Sequence, residues 1–276
     1  MTRLLDPQKC PPESPQQTTD PALVAEDPDA YSVLSRLDER LITPDAVLHL
    51  SSNPLPDFNG ASRLRFGGDV GARVAEIRAW FAERERQAFM WSVGPHATPV
   101  DVERRLLDLG AVPNPIQPMS TAMVLDREPP EAPLGIEVRR EASFEDYVAR
   151  WELIIEVFGF GKEQADAVRA KYEENYAIAK KGPAWGYGAW IDGRLAGISL
   201  VSRTEAGALY LAGAATHRWA RHRGVYRTLT RVRWDDAVRL GMSALVVQAS
   251  PAARLVLQPL GFRSVGRIAN LLDRST

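Results

Sequence analysis

The stretch Tyr210-Leu-Ala-Gly-Ala-Ala-Thr-His-Arg-Trp-Ala-Arg-His-Arg-Gly-Val-Tyr-Arg-Thr-Leu229 decides how the chain reads. Its first part is a run of small and apolar residues suited to a buried strand. Its last part, from Gly224, opens a helix predicted over 224–240. Between them lies a loop of Arg221, His222, Arg223 and Gly224. The first amides of a helix have no partner inside it, and the aligned peptide dipoles add partial positive charge there. A phosphate seated at that end accepts those hydrogen bonds. Gly224 has no Cβ and lets a ligand approach the backbone. Arg221, Arg223 and Arg227 add full charges that pair with phosphate oxygens. The same residues also suit a helix start with a solvated basic face, so the loop alone leaves both readings open.

Outward from this stretch, the pattern is a regular alternation of elements. Upstream it predicts a strand over 136–139, helices over 143–158 and 162–180, and strands over 184–191, 195–202 and 208–216. Asp192-Gly193 between two alternating runs is a hairpin signal. Downstream come a buried strand over 244–248, a helix over 251–260 stopped by Gly261, and a last strand over 264–272.

In this setting the loop resembles the GNAT superfamily of N-acyltransferases, which carries Arg/Gln-x-x-Gly-x-Gly/Ala between its fourth strand and third helix. Arg221-His-Arg-Gly224-Val-Tyr226 matches except at Tyr226, where a small residue is usual. The strand, Ser250-Pro, helix and Leu260-Gly-Phe262 that follow also resemble that family's ending, and the likeness covers residues 136–272. The resemblance implies an acetyl-CoA or other acyl-CoA co-substrate and no metal. Its pyrophosphate would lie on Arg221, His222, Arg223, Gly224, Val225, Tyr226 and Arg227. Its pantetheine arm would lie along Ala214, Ala215 and Thr216, with Ser250 at the far side of the gap. The small residues there also suit tight packing against a helix, and Ser250 beside Pro251 also suits an ordinary helix cap. The implied activity is transfer of an acyl group to an amine, on a small molecule or a peptide. An inactive acyl-CoA-binding or scaffold protein is the alternative.

Two features favour that alternative. Relatives often carry a tyrosine four residues before the glycine of Leu-Gly-Phe; here Leu257 stands there. The strand over 208–216 holds no acid, so a base common in the family is missing. Tyr187, Tyr210 and Tyr226 are substitutes on spacing alone, and Glu156, Glu173 and Glu174 suit a solvated helix surface. No catalytic residue is assigned.

The first half predicts strands over 46–50, 63–66, 88–93 and 119–125. Helices are predicted over 70–86 and from Thr98, as cap, to Leu109, before Gly110. The two halves end alike: strand, long helix, apolar strand, proline turn, short helix closing on Leu-Gly, and strand. This pattern favours an internal duplication. The first copy has Arg65-Phe-Gly-Gly-Asp69 where the basic loop should be, and Asp69 would repel phosphate. It is read as a degenerate GNAT-like copy that packs on the second half and walls the acceptor pocket. The expected class is α/β of the α+β type: two GNAT-like domains, each a mixed, mostly antiparallel sheet flanked by helices. Residues 1–30 are expected to be a disordered tail, with order beginning as a helix at Tyr31. The first domain is expected over 31–127, a linker over 128–134, where prolines break both helix and strand, and the second domain over 135–276.

Composition agrees with an ordinary packed protein: 276 residues, 45 % hydrophobic and 25 % charged, with a formal net charge of −1. That balance disfavours a nucleic-acid partner. No stretch approaches the ~20 apolar residues of a membrane span, and the start lacks a secretory h-region. No membrane partner and a cytoplasmic location are therefore expected. The single cysteine, Cys10, rules out an internal disulfide and is read as inert. His217 and His222 flank the loop without a second ligand set, so a metal site is not expected.

Overall fold

The structure is a computed structural model that describes residues 19–34, 38–51 and 55–274; Cys10 lies outside them. The chain begins with two short helices, α1 (Pro21–Glu26) and α2 (Pro28–Tyr31). Strands β1 (Glu39–Ile42), β2 (Val47–Leu50) and β3 (Gly60–Ser62) follow, then helix α3 (Val70–Ala82) and strand β4 (Ala88–Val93). Helix α4 (Val102–Asp108), the two-residue β5 (Val112–Pro113) and β6 (Met119–Leu125) complete the first half. The second half runs through β7 (Glu137–Arg140) and helices α5 (Phe144–Phe158), α6 (Lys162–Arg169) and α7 (Tyr172–Ala179). Strands β8 (Ala184–Ile191), β9 (Arg194–Arg203) and β10 (Ala208–Thr216) lead into helix α8 (Val225–Arg239). Strand β11 (Ala244–Ala249), helix α9 (Pro251–Leu257) and strand β12 (Arg263–Arg274) end the chain.

All the strands form one sheet in the order β1-β2-β3-β4-β12-β6-β11-β10-β9-β8-β7, with β5 on β12. The order is not that of two sheets side by side. The last strand of each half crosses into the other: β6 pairs with β11, β12 pairs with β4, and the two pair with each other. The halves otherwise repeat. In each, successive antiparallel pairings, two in the first half and three in the second, lead to one parallel pairing, β3 with β4 and β10 with β11, bridged by the long helices α3 and α8. This two-fold arrangement is what the matching endings of the two halves express.

Side chains alternate across the strands, so each face has its own core. One face carries α3 and α4 over Phe89, Trp91 and Leu271, and α8 and α9 over Leu209, Leu245 and Val247. The opposite face is covered near its centre by α1, where Val24 and Ala25 pack on Ala122, Val246 and Ile268, and further out by α5. Residues 19–31 are therefore not a tail. Their Val24-Ala25 pair is fully buried, and Asp20 caps α1 by accepting from the Ala22 amide (2.9 Å). Polar flanking residues hid two apolar ones that the sheet centre needs. The helix expected from Tyr31 ends there instead.

Smaller departures have local causes. The strand expected over 63–66 is displaced to β3, because Arg63 adopts a positive φ (50°) and turns the chain. Helix α3 stops at Ala82, short of the predicted Arg86. The helix expected from Thr98 begins at Val102 after Asp101, because Thr98 is bonded in a bridge to Arg65. The helix expected over 162–180 is broken between Arg169 and Tyr172. Helix α5 lies where predicted, with Ser143 as its cap and Asp146 completing a capping box.

The residues of the expected linker form neither helix nor strand, but they are fastened down. Glu128 pairs with Arg231 of α8 at 2.6 Å, and the Pro133 ring lies against Gly224 at the start of the same helix. The segment is a strap along α8.

Candidate acyl-donor site and adjoining cavity

Strands β10 and β11 pair in parallel only over Ala208↔Ala244, Leu209↔Leu245 and Tyr210↔Val246. Beyond Tyr210 they diverge. A bulge at Ala212 bends β10, after which Gly213, Ala214, Ala215 and Thr216 pair only with β9 on their other side. Strand β11 runs on to Ala249 paired only with β6. A wedge with two unpaired strand edges is left, open to solvent at Ala212 and Gly213. Backbone edges left this way need hydrogen-bonding partners. An extended ligand carrying amides meets that need.

The loop at the wide end of the wedge has the anion-binding geometry its residues suggest. His222 (φ 61°) and Gly224 (φ 86°) both take left-handed conformations, reversing the chain into α8. Among the described residues no acceptor takes the amides of Val225, Tyr226 or Arg227, while Gly224 O already receives the Thr228 amide at 3.0 Å. Arg221, Arg223 and Arg227 are exposed, and none has a carboxylate partner among the described residues. Arg223 lies over the Trp219 ring at 5.7 Å. Unpaired cations around unpaired helix amides are the donor set a pyrophosphate requires. The residues present therefore fit the phosphate end of an acyl-CoA.

The other predicted residues divide. Val225 is buried and serves the core below the loop. Tyr226 does not narrow the site: it packs against the core, and Arg233 stacks on its ring at 5.1 Å. Arg233 is fully buried and, among the described residues, has no carboxylate partner and donates only to Leu229 O (3.0 Å) and Thr230 Oγ1 (3.2 Å). The large ring in place of a small residue thus supplies a face for a buried cation. Ala215 packs against Leu153 and Ile198 under α5. Ser250 caps α9, accepting from the Ala253 amide at 3.2 Å. Leu257 is 1 % exposed and lies in the core.

The substitute acids also separate. The Tyr187 hydroxyl is held by Trp185 and Asp236, a structural tie. Glu156 pairs with His217 Nδ1 at 3.0 Å, and Glu173 and Glu174 are exposed on α7. Of the three tyrosines, Tyr210 lines a cavity. A cavity of about 480 Å³ lies on the sheet face opposite α8, bordered by Tyr210 and Ala212 from one lip of the wedge and Gln248 from the other. Its remaining walls come from the first half, including His49, Ser62, Ser92 and Asn114, and from Asn270 of β12. Burial and the nearby Asp29 carboxylate push the Tyr210 phenol above its ordinary value, so it stays protonated. The sequence carried no signal for this cavity, because its walls come from strands that meet only through the exchange of β6 and β12.

The equivalent wedge of the first half is closed by the chain itself. Strands β3 and β4 pair at Gly60↔Met90 and Ala61↔Trp91 and then part. Thr98 moves in beside residues 64–66: its amide donates to Leu64 O (3.1 Å), and its carbonyl accepts from the Phe66 amide (2.8 Å). Glu26 of α1 fills the space over Gly94 and accepts from the His96 amide at 3.1 Å. At the helix start, Asp69 accepts from the Ala72 amide at 3.2 Å, placing a carboxylate where a phosphate would sit. Among the described residues no group of three metal-ligating side chains occurs, and no helix is long and apolar enough to cross a membrane.

No family model matches the sequence, and no curated protein matches it. Solved structures do match. A GCN5-related N-acetyltransferase from Kribbella flavida superposes with a TM-score of 0.66 at 16 % identity, over 91 % of this chain and 95 % of its own. A tandem GNAT protein from the clavulanic acid biosynthesis pathway, without AcCoA, gives 0.60 at 17 % identity, over 93 % and 88 %. A GCN5-related N-acetyltransferase from Sphaerobacter thermophilus gives 0.54 at 19 %, over 84 % and 81 %. Identities this low speak for architecture alone. The chain shares the fold of these GNAT structures.

Proposed function

We propose that the chain is an acyl-CoA-dependent N-acyltransferase whose single donor site lies in the second half. The observation that carries this reading is the contrast between the two wedges. One is open, with unpaired strand edges leading to unpaired amides and arginines; the other is filled by Thr98 and Glu26. In this account the pyrophosphate lies on the start of α8 and the pantetheine arm adds to the free edge of β10. An acyl-CoA so held supplies an activated thioester carbonyl at the lips of the wedge, beside Tyr210 and the cavity.

The residues there allow a balanced transfer. Asp29 takes one proton from the incoming ammonium, freeing the nitrogen lone pair. The C–N bond forms and the C–S bond breaks. Tyr210 gives its proton to the departing sulfur and recovers one from the new amide nitrogen. A phenol held above its usual value suits this role, since it is neutral at the outset. The inactive alternative rested on Leu257 and on the acid-free strand β10; Tyr210 of β10 offers a phenol in place of the first, and Asp29 of α2 an acid in place of the second.

Thiol release from acetyl-CoA, assayed with a panel of amines, tests the reading. Tyr210→Phe should lower turnover at least ~10-fold while leaving acetyl-CoA affinity unchanged. Undiminished turnover would remove Tyr210 from the chemistry. Acetyl-CoA binding without turnover of any amine would favour the inactive protein.

A further inference from the structure

We infer that the cavity between the two halves is the acceptor site and that it takes a small, hydroxyl-bearing diamine. The inference rests on the donor-site reading above, which places the thioester at the cavity's edge. A volume of about 480 Å³ is that of a small-molecule site.

Its charge selects the sign of the ligand. Asp29 and Asp57 both line it, and among its described lining residues there is no lysine or arginine. Asp29 has no donor on its carboxylate among the described residues. Asp57 spends only Oδ1, on Asn114 Nδ2 at 2.9 Å. The two acids have different neighbours. Asp29 is beside Tyr210 at the wedge, while Asp57 is on the first-half wall next to Phe58 and Asn114. One ammonium can therefore react at Asp29 while a second is anchored at Asp57.

The remaining groups ask for hydroxyls. Ser62 is 5 % exposed, lines the cavity, and its hydroxyl has no partner among the described residues. As a donor and an acceptor on the cavity wall, it can bond a ligand hydroxyl. The carbonyl end of Gln248 is also open, since only its Nε2 is engaged, on Glu26 O at 2.7 Å. A purely apolar diamine would leave both unsatisfied.

Binding can be read without the donor. The diaminocyclitol 2-deoxystreptamine, titrated calorimetrically into the full chain, should bind at least ~10-fold tighter than either glucosamine, which has one amine, or 1,3-diaminocyclohexane, which has no hydroxyl. Asp57→Asn should weaken 2-deoxystreptamine about 10-fold and erase its advantage over glucosamine. Ser62→Ala should shrink its advantage over 1,3-diaminocyclohexane, leaving the share that Gln248 supplies. Arg221→Ala should change none of these values. Absence of 2-deoxystreptamine binding, or equal binding of all three amines, would overturn the inference. Acetyl-CoA titrated separately distinguishes the two failures: a protein that binds acetyl-CoA but not the diamine keeps the donor site and loses the acceptor assignment. Diamine binding without acetyl-CoA binding does the reverse.

Discussion

Replacing Gly224 with alanine should be expensive for two separable reasons. Gly224 holds φ at 86°, a left-handed conformation that costs a residue with a Cβ about 1–2 kcal/mol. The new Cβ would also stand 2.5 Å from Pro133 Cγ and 3.2 Å from Pro133 Cδ, where carbon atoms prefer about 3.5–4.0 Å. The strap has no regular structure and can shift, so the overlap should cost about 1–2 kcal/mol, the lower part of the range for overpacking. The sum is roughly 2–4 kcal/mol, or a fall in midpoint on the order of 5–15 °C for a chain of this size. Urea and thermal unfolding followed by circular dichroism would measure it. Pro133→Ala supplies the control. It keeps a Cβ at the ordinary contact of 3.6 Å and removes the two overlapping ring atoms. In that background Gly224→Ala should cost only the backbone share, and the difference is the coupling energy. A cost below about 0.5 kcal/mol, or the same cost in both backgrounds, would refute the assigned geometry of loop and strap.

Asp27, buried beside Glu26, has its carboxyl pushed up to about 7 by burial first and by that neighbour second. The folded state therefore holds a proton the unfolded state has lost between about pH 4 and 7, and stability contributed by this group falls as pH rises through that window, by at most about 4 kcal/mol. Asp27→Asn keeps the acceptor for the Arg63 amide (3.0 Å) and should flatten that slope in unfolding titrations; an unchanged slope would remove Asp27 as its source. Tyr226→Ala should destabilise by about 2–4 kcal/mol in urea unfolding, because it strips the aromatic face from the buried Arg233 guanidinium; a neutral result would mean that Arg233 is held by its hydrogen bonds alone. A fragment beginning at Leu134 would lose β6 from between β11 and β12 and expose two strand edges. It should self-associate on size-exclusion chromatography, and a stable monomer would show that the exchanged strands are dispensable.

Much of this was legible because it is local. The hairpin at Asp192-Gly193 and the stop at Gly261 are dictated by short-range backbone chemistry, and each stands where the residues place it. The basic loop was readable for the same reason: Gly224 and its arginines are contiguous. What was not legible depends on partners distant in the chain. Val24 and Ala25 read as tail until the sheet centre is known to need cover. Thr98 read as a helix cap because its actual partner, Arg65, lies 33 positions earlier. The exchange of β6 and β12 leaves no periodic mark, since a strand's pattern is the same whichever neighbour it takes. The cavity built by that exchange, and Tyr210's place in it, were hidden with it.

In the proposed donor site an acyl-CoA phosphate group sits on the start of α8. Calorimetric titration of acetyl-CoA into the native chain and into Arg221→Ala/Arg223→Ala/Arg227→Ala tests it most directly. Saturable binding to one site, weakened at least ~100-fold in the triple variant with the fold intact, is the predicted result, since each charged hydrogen bond lost is worth over about 1 kcal/mol. Absent binding to the folded native chain, or equal binding to both proteins, would contradict it.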